Sequence, residues 1–119
     1  MCEFLAFLMV LFGCNVCDSN GETNLSIRGC NTNELCIDLQ NDVPVRGVQF
    51  TLEYCSPESA ETTYRTEGFF AKVNNKNGTV ICVSLSGAKI KPGVGAILRI
   101  IFDEGQSQSC LLSQIKISE

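Results

Sequence analysis

The sequence NDVPVRGVQFTLEY, residues 41–54, predicts a tight turn followed by a half-buried β-strand. Asn, Asp and Pro at its start are typical turn residues, and apolar and polar residues alternate after the glycine. Because successive side chains of a strand point to opposite faces, this alternation predicts one face in a core and one toward solvent. We assign Val48, Phe50, Leu52 and Tyr54 to the core face, and Gln49, Thr51, Glu53 and Cys55 to the outer face.

The segments on either side of this strand show similar strand and turn patterns. ELCIDLQN, residues 34–41, alternates in the same way and predicts a strand. ETTYRTEGFFAKV, residues 61–73, predicts one or two strands around Gly68, and the Asn77–Gly78 pair predicts a hairpin turn. The predicted core residues of the first of these segments are Leu35, Ile37 and Leu39.

The C-terminal third completes an all-β pattern. TVICVSLSG, residues 79–87, predicts a strand with two faces. Ile81, Val83 and Leu85 are assigned to one face, and Val80, Cys82 and Ser84 to the other, outer face. AILRIIFDE, residues 96–104, is more continuously apolar, as in a central strand, and the last strand offers Leu112, Ile115 and Ile117 to the core. About eight or nine short strands without a helix predict a two-sheet β-sandwich.

Length and composition limit the function. A chain of 119 residues supports one domain, and a net charge of -4 with nine Lys and Arg gives no basic surface for nucleic acid. Histidine is absent, which removes Ser-His and Cys-His nucleophile pairs and histidine metal sites. Asp38 and Glu53 fall at outward positions of what would be different sheets, where a solvated face explains them better than a glycosidase acid pair. The sequence therefore predicts a noncatalytic chain without a cofactor.

The N-terminus predicts export. FLAFLMVLF, residues 4–12, is too short to span a bilayer and has the length of a signal-peptide core, although no Lys or Arg precedes it. Leu11 to Cys14 resembles a lipoprotein lipobox, so residues 1–17 are either a plain signal peptide or a lipoprotein leader lipidated at Cys14. Residues 18–23 are a polar linker and 24–119 the folded domain. The predicted location is extracellular or at the cell surface, with a lipid anchor as the one link to a membrane.

The eight cysteines leave several roles open. Cys14 and Cys17 form a CxxC pair, and Cys30 with Cys36 would complete a four-thiolate zinc site, but the second pair lacks the usual spacing. No metal site is assigned. In an exported protein disulfides are expected, and their pairing does not follow from the sequence.

Three segments together resemble the cohesin family, jelly-roll sandwiches that capture dockerin modules. They are NDVPVRGVQFTLEY, then RTEGFFAKVNNKNGTVICVSLSGAKIKPGVGAILRIIFDE, then LLSQIKIS, and the resemblance covers roughly residues 24–119. Tyr54-Cys55-Ser56-Pro57 departs from the Tyr-Asp-Pro that is frequent in that family. The resemblance implies a protein partner, with a dockerin as the candidate, on one sheet that includes VQFTLEY, TVICVSLS and ILRIIFDE. The implied partner-binding residues are Gln49, Thr51, Glu53, Val80, Cys82, Ser84, Arg99, Ile101 and Asp103.

Two other functions fit a sandwich of this kind. One is a carbohydrate-binding module with a polysaccharide ligand, although the chain has no Trp and only two Tyr to stack on sugars. The other is a structural domain of a cell-surface protein. The plain alternative to a binding surface is that the polar side of a strand such as 48–54 is an ordinary solvated face of an antiparallel sheet.

Overall fold

The computed structural model describes residues 23–103 and 110–119, which form eight β-strands. The predicted leader with Cys14 and residues 18–22 of the predicted linker lie outside the described residues. Within the described part the one helix is a three-residue 3-10 helix, η1, and no helix there is long and apolar enough to cross a membrane. The strands are β1 (Thr23–Asn31), β2 (Glu34–Asn41), β3 (Gly47–Glu53), β4 (Ser59–Thr62), β5 (Phe69–Asn74), β6 (Thr79–Ser84), β7 (Gly93–Ile101) and β8 (Leu111–Ser118).

The strands form two antiparallel sheets that pack face to face. The first sheet has the order β1-β2-β7-β4 and the second the order β5-β6-β3-β8. Five of the seven connections pass from one sheet to the other, as in a jelly roll. The predicted all-β, two-sheet β-sandwich with eight or nine strands is thus confirmed.

The core lies between the sheets and is built by inward side chains of the central strands. β2 contributes Leu35, Ile37 and Leu39, as predicted, and β3 contributes Val48, Phe50 and Leu52. Each of these six is at most 3% exposed. Burial of the core as a whole supplies most of the favourable free energy of folding, because apolar area leaves water when the sheets close.

Two predicted core residues, Tyr54 and Ile115, lie outside the core. Tyr54 is 80% exposed, since a positive φ of 69° turns the chain at the end of β3 and breaks the alternation. In β8, Leu112 and Ile117 pack against the core but are five residues apart, so an uninterrupted strand would put them on opposite faces. A bulge corrects this, because the three steps from Ser113 to Lys116 lie opposite only the two steps from Thr51 to Gln49 of β3, and it leaves Ile115 43% exposed.

The segment 61–73 also differs from the prediction, because a 3-10 turn separates its strands. η1 spans Tyr64–Thr66 between β4 and β5. Thr63 and Thr66 form a capping box, each side chain accepting a backbone N–H bond. Their hydroxyls also donate to β7, Thr63 to the Ala96 carbonyl at 2.7 Å and Thr66 to the Ile97 carbonyl at 2.7 Å. These bonds fix η1 across one end of the sandwich.

Arg65 of η1 closes that end of the sandwich. Leu39 pairs with Gly95 and Asn41 with Gly93, so both glycines lie on the inner face, where their missing side chains leave room for the arginine. Its guanidinium donates to the Leu39 and Gly95 carbonyls at 2.7 and 3.0 Å, to Asn41 Oδ1 at 2.8 Å and to the Lys91 carbonyl at 2.9 Å. Asn41, 2% exposed, donates in turn to nearby carbonyls of the loop before β7.

The predicted hairpin at Asn77–Gly78 joins β5 to β6 and sets the register of β6. Gly78 has a φ of 79°, and its carbonyl accepts a 2.9 Å bond from the Leu52 N–H of β3. A Cβ on Gly78 would overlap the carbonyl oxygen of Leu52. The glycine is therefore required both by its backbone conformation and by the close approach of β3.

We expect Gly78→Ala to lower the free energy of unfolding by more than about 1 kcal/mol. Gly68→Ala is the matched control, because Gly68 has a similar φ of 84° but open space around its Cβ position. Urea unfolding of the two variants separates the cost of the positive φ from the cost of the overlap. Equal losses of stability in both would show that β3 does not approach Gly78 as closely as described.

Candidate functional site

The outward half of β3 lies in the middle of the second sheet. Gln49, Thr51 and Glu53 alternate with the buried residues of the strand and are partly exposed, as predicted. Glu53 is held by β8, where the Ser113 hydroxyl donates to its carboxylate at 2.6 Å. We call the outward surface of this sheet, formed by β5, β6, β3 and β8, the β3/β6 face.

The predicted orientation of β6 is wrong. Val48 pairs with Cys82 and Phe50 with Val80, and paired residues of an antiparallel ladder share a face. Val80 and Cys82 are accordingly fully buried and cannot contact a partner. The outward residues of β6 are Thr79, Ile81 and Val83, two of which had been assigned to the opposite side.

Cys82 and Ser84 both lie on the inner side of β6. Burial raises the pKa of the Cys82 thiol to about 12, so it stays protonated and unreactive at neutral pH. Among the described cysteines it is the one without a disulfide partner. The Ser84 hydroxyl is buried and has no hydrogen-bond partner among the residues that the structure describes, so the outward position predicted for this residue is also wrong.

The predicted site residues of β7 lie in the other sheet. β7 pairs with β2 and β4, so Arg99 and Ile101 are on the opposite side of the sandwich from Gln49 and Thr51, and Asp103 follows the end of β7. Arg99 is exposed there. It binds Glu61 at 2.6 Å and lies 3.9 Å from Glu34. The structure therefore does not bring the nine predicted residues onto one surface.

The β3/β6 face has an apolar centre that the sequence pattern did not predict. Phe70 of β5 pairs with Val83 of β6, and Lys72 pairs with Ile81. The side chains of Phe70, Val83 and Ile81 therefore lie beside one another. Phe70 is 42% exposed. A Cβ on Gly47 would be 3.1 Å from Val83 Cγ1, so Val83 lies across the glycine of the neighbouring strand. Gln49, Thr51 and Lys72 surround this centre with polar groups.

Four of the five described cysteines form disulfides. Cys30 is bonded to Cys36, and Cys55 to Cys110. Cys30 and Cys36 thus have no free thiolates for the zinc site that the sequence left open. Within residues 23–103 and 110–119, no group of three or more Cys, Asp or Glu side chains is arranged to hold a metal ion.

Fold and surface together define a small β-sandwich with one mixed apolar and polar sheet face. No protein-family model matches the chain, and the comparisons with curated proteins and with solved structures find no match either. The cohesin resemblance therefore stays a prediction that rests on the sequence segments quoted above.

Proposed function

We propose that this chain is a noncatalytic, exported, cohesin-like module that docks a partner protein on its β3/β6 face. A dockerin module is the first candidate partner. The observation that carries the proposal is the apolar centre of Phe70, Ile81 and Val83, which is exposed at Phe70 and partly exposed at Ile81 and Val83. A partly exposed apolar group ringed by polar side chains is the usual composition of a protein interface.

The energetics of docking follow from this arrangement. The apolar centre supplies area that leaves water on binding, and such central apolar contacts carry most of the affinity in protein interfaces. Gln49 and Thr51 lie next to it on β3 and provide hydrogen-bonding groups that fix the orientation of the partner. Their backbones are held in a central strand between β6 and β8, so little ordering is needed on binding.

The disulfides support export. Cys30–Cys36 and Cys55–Cys110 are compatible with an oxidising compartment such as the cell exterior, because cytosolic thiols are kept reduced. This fits the short apolar run predicted to direct secretion. Polysaccharide is a weaker candidate for the same face, since Phe70 is the one aromatic ring that its strands expose.

The test is a retention experiment with the immobilised chain. Culture fluid and membrane extract of the source organism are passed over it, and retained proteins are identified by mass spectrometry. We expect a protein with paired Asp-x-Asn-x-Asp-Gly calcium loops, the mark of a dockerin. The purified partner should then lose about 2 kcal/mol of binding free energy, roughly a 30-fold loss of affinity, with either Thr51→Arg or Ile81→Arg.

Gln40→Arg is the matched control, since Gln40 is an exposed residue of a central strand in the other sheet. It should leave the affinity unchanged, and circular dichroism should show that all three variants are folded. Undiminished binding by both face variants would place the interface elsewhere. Retention of a polysaccharide without any protein would replace docking by carbohydrate binding.

A further inference from the structure

A cleft of about 480 Å³ lies at the end of the sandwich closed by Arg65. It is bordered by η1, by the start of β5, and by the loop that leads into β7. Its size falls within the range of small-ligand sites, which is roughly 300–1,000 Å³. None of the nine residues predicted from the sequence contributes to it.

The base of this cleft is rigid. Arg65 is fixed by its four hydrogen bonds, and a Cβ on Gly93 would lie 3.4 Å from Arg65 Nη2, so the guanidinium lies directly against this glycine. The Lys91 carbonyl accepts from both Arg65 and Asn41, which fixes the backbone that carries the Lys91 side chain. A ligand would therefore meet a preformed surface and cause little ordering.

Tyr64 presents an aromatic ring beside this base. Its side chain is 84% exposed, although its backbone lies between Thr63 and Arg65, both of which are anchored by hydrogen bonds to the first sheet. A Cβ on Gly95 would lie 3.9 Å from Tyr64 Oη, so the phenol end reaches the start of β7. An exposed ring on a fixed backbone is suited to stack against a flat ligand.

The cleft is positively charged in an acidic protein. Arg65, Lys89 and Lys91 line it together with a single acidic residue, Glu67, whereas the whole chain has a net charge of -4. Lys89 and Lys91 are exposed, and neither lies within 4.0 Å of a carboxylate in the described part of the chain. Their charges are thus available to an anion, and their positive potentials add within a concave site.

We propose that this cleft binds an acidic saccharide whose rings carry carboxylates. The C–H groups of a sugar ring are weakly positive and fit the negative face of the Tyr64 ring, while Lys89 and Lys91 pair with the carboxylates. A neutral saccharide uses the ring alone, and an acidic peptide uses the lysines alone. This binding site is distinct from the β3/β6 face and does not depend on the proposed docking function.

Titration of the native chain with trigalacturonate, followed by NMR or calorimetry, tests the assignment. We expect saturable binding that weakens at high salt, and at least about tenfold weaker binding of cellotriose and of triglutamate. Tyr64→Ala and the double variant Lys89→Gln/Lys91→Gln should each reduce the affinity at least about tenfold. All three side chains are exposed, so the variants are expected to fold.

The chain offers matched controls for both changes. Tyr54→Ala removes the other, equally exposed tyrosine, and Lys72→Gln/Lys116→Gln removes the same charge from the β3/β6 face. Both should bind trigalacturonate like the native chain. Absence of binding, equal binding of cellotriose, or equal binding of triglutamate would each overturn the assignment of an acidic saccharide.

Discussion

An Arg65→Ala variant is expected to be about 3 kcal/mol or more less stable than the native chain. The substitution removes four hydrogen bonds at once, so Asn41 Oδ1 and the Leu39, Gly95 and Lys91 carbonyls each lose a donor. It also leaves an empty volume above Gly93 and Gly95, which have no side chains to fill it. Chemical unfolding in urea gives the free energy directly.

Two further variants make this test specific. Arg65→Lys should recover little of the loss, because one ammonium group cannot reach the four acceptors that the planar guanidinium reaches. Arg99→Ala removes an exposed arginine whose partners are carboxylates on the sheet surface, and it should cost less than about 1 kcal/mol. If Arg65→Ala costs no more than Arg99→Ala, then the hydrogen bonds of Arg65 to the first sheet and to the loop before β7 do not stabilise this end of the sandwich.

Strands with one polar face could be predicted from the sequence, and strands with two apolar faces could not. In β3, Gln49 and Thr51 alternate with apolar residues, so the pattern itself indicates which side is buried. In β6, Val80 and Cys82 on one side are about as apolar as Ile81 and Val83 on the other. The choice between the two faces is then made by pairing with β3, which the hairpin at Gly78 brings into register.

Sheet membership also depends on contacts between distant residues. β7 is apolar enough for a central strand of either sheet, and it joins the first because it pairs with β2 and β4. The resemblance placed its residues beside β3, which separated Arg99 from its true neighbours, Glu34 and Glu61. No local pattern carries this information, since a shift of a whole strand between sheets leaves its alternation unchanged.

The cleft at the Arg65 end had a weak local signal. Thr63 and Thr66 have the spacing of a capping box, which predicts a helical turn in place of a continuous strand. Gly93 and Gly95, two residues apart within a strand, mark a place where another group approaches the backbone closely. The group that approaches the two glycines is the Arg65 side chain, and this contact is visible only in the folded chain.

Removing the Cys55–Cys110 disulfide is expected to cost about 4 kcal/mol, against about 2 kcal/mol for Cys30–Cys36. The difference arises from loop length, since the first bond joins residues 55 apart in sequence and the second joins residues 6 apart. A longer closed loop removes more conformational freedom from the unfolded chain. A loss of about 4 kcal/mol is a large part of the total stability of a small domain, which is roughly 5–15 kcal/mol.

The double variants Cys55→Ala/Cys110→Ala and Cys30→Ala/Cys36→Ala test this directly, each serving as the control for the other. Cys55 and Cys110 also pack against the core next to the paired ends of β3 and β8, so part of their effect could come from lost contacts. The two causes differ in how steeply the free energy of unfolding falls with urea concentration, which is the m-value. Loss of a long cross-link expands the unfolded chain and raises the m-value, whereas loss of folded-state contacts leaves it unchanged. Equal destabilisation by both variants, with unaltered m-values, would show that loop closure is not how the disulfides stabilise this sandwich.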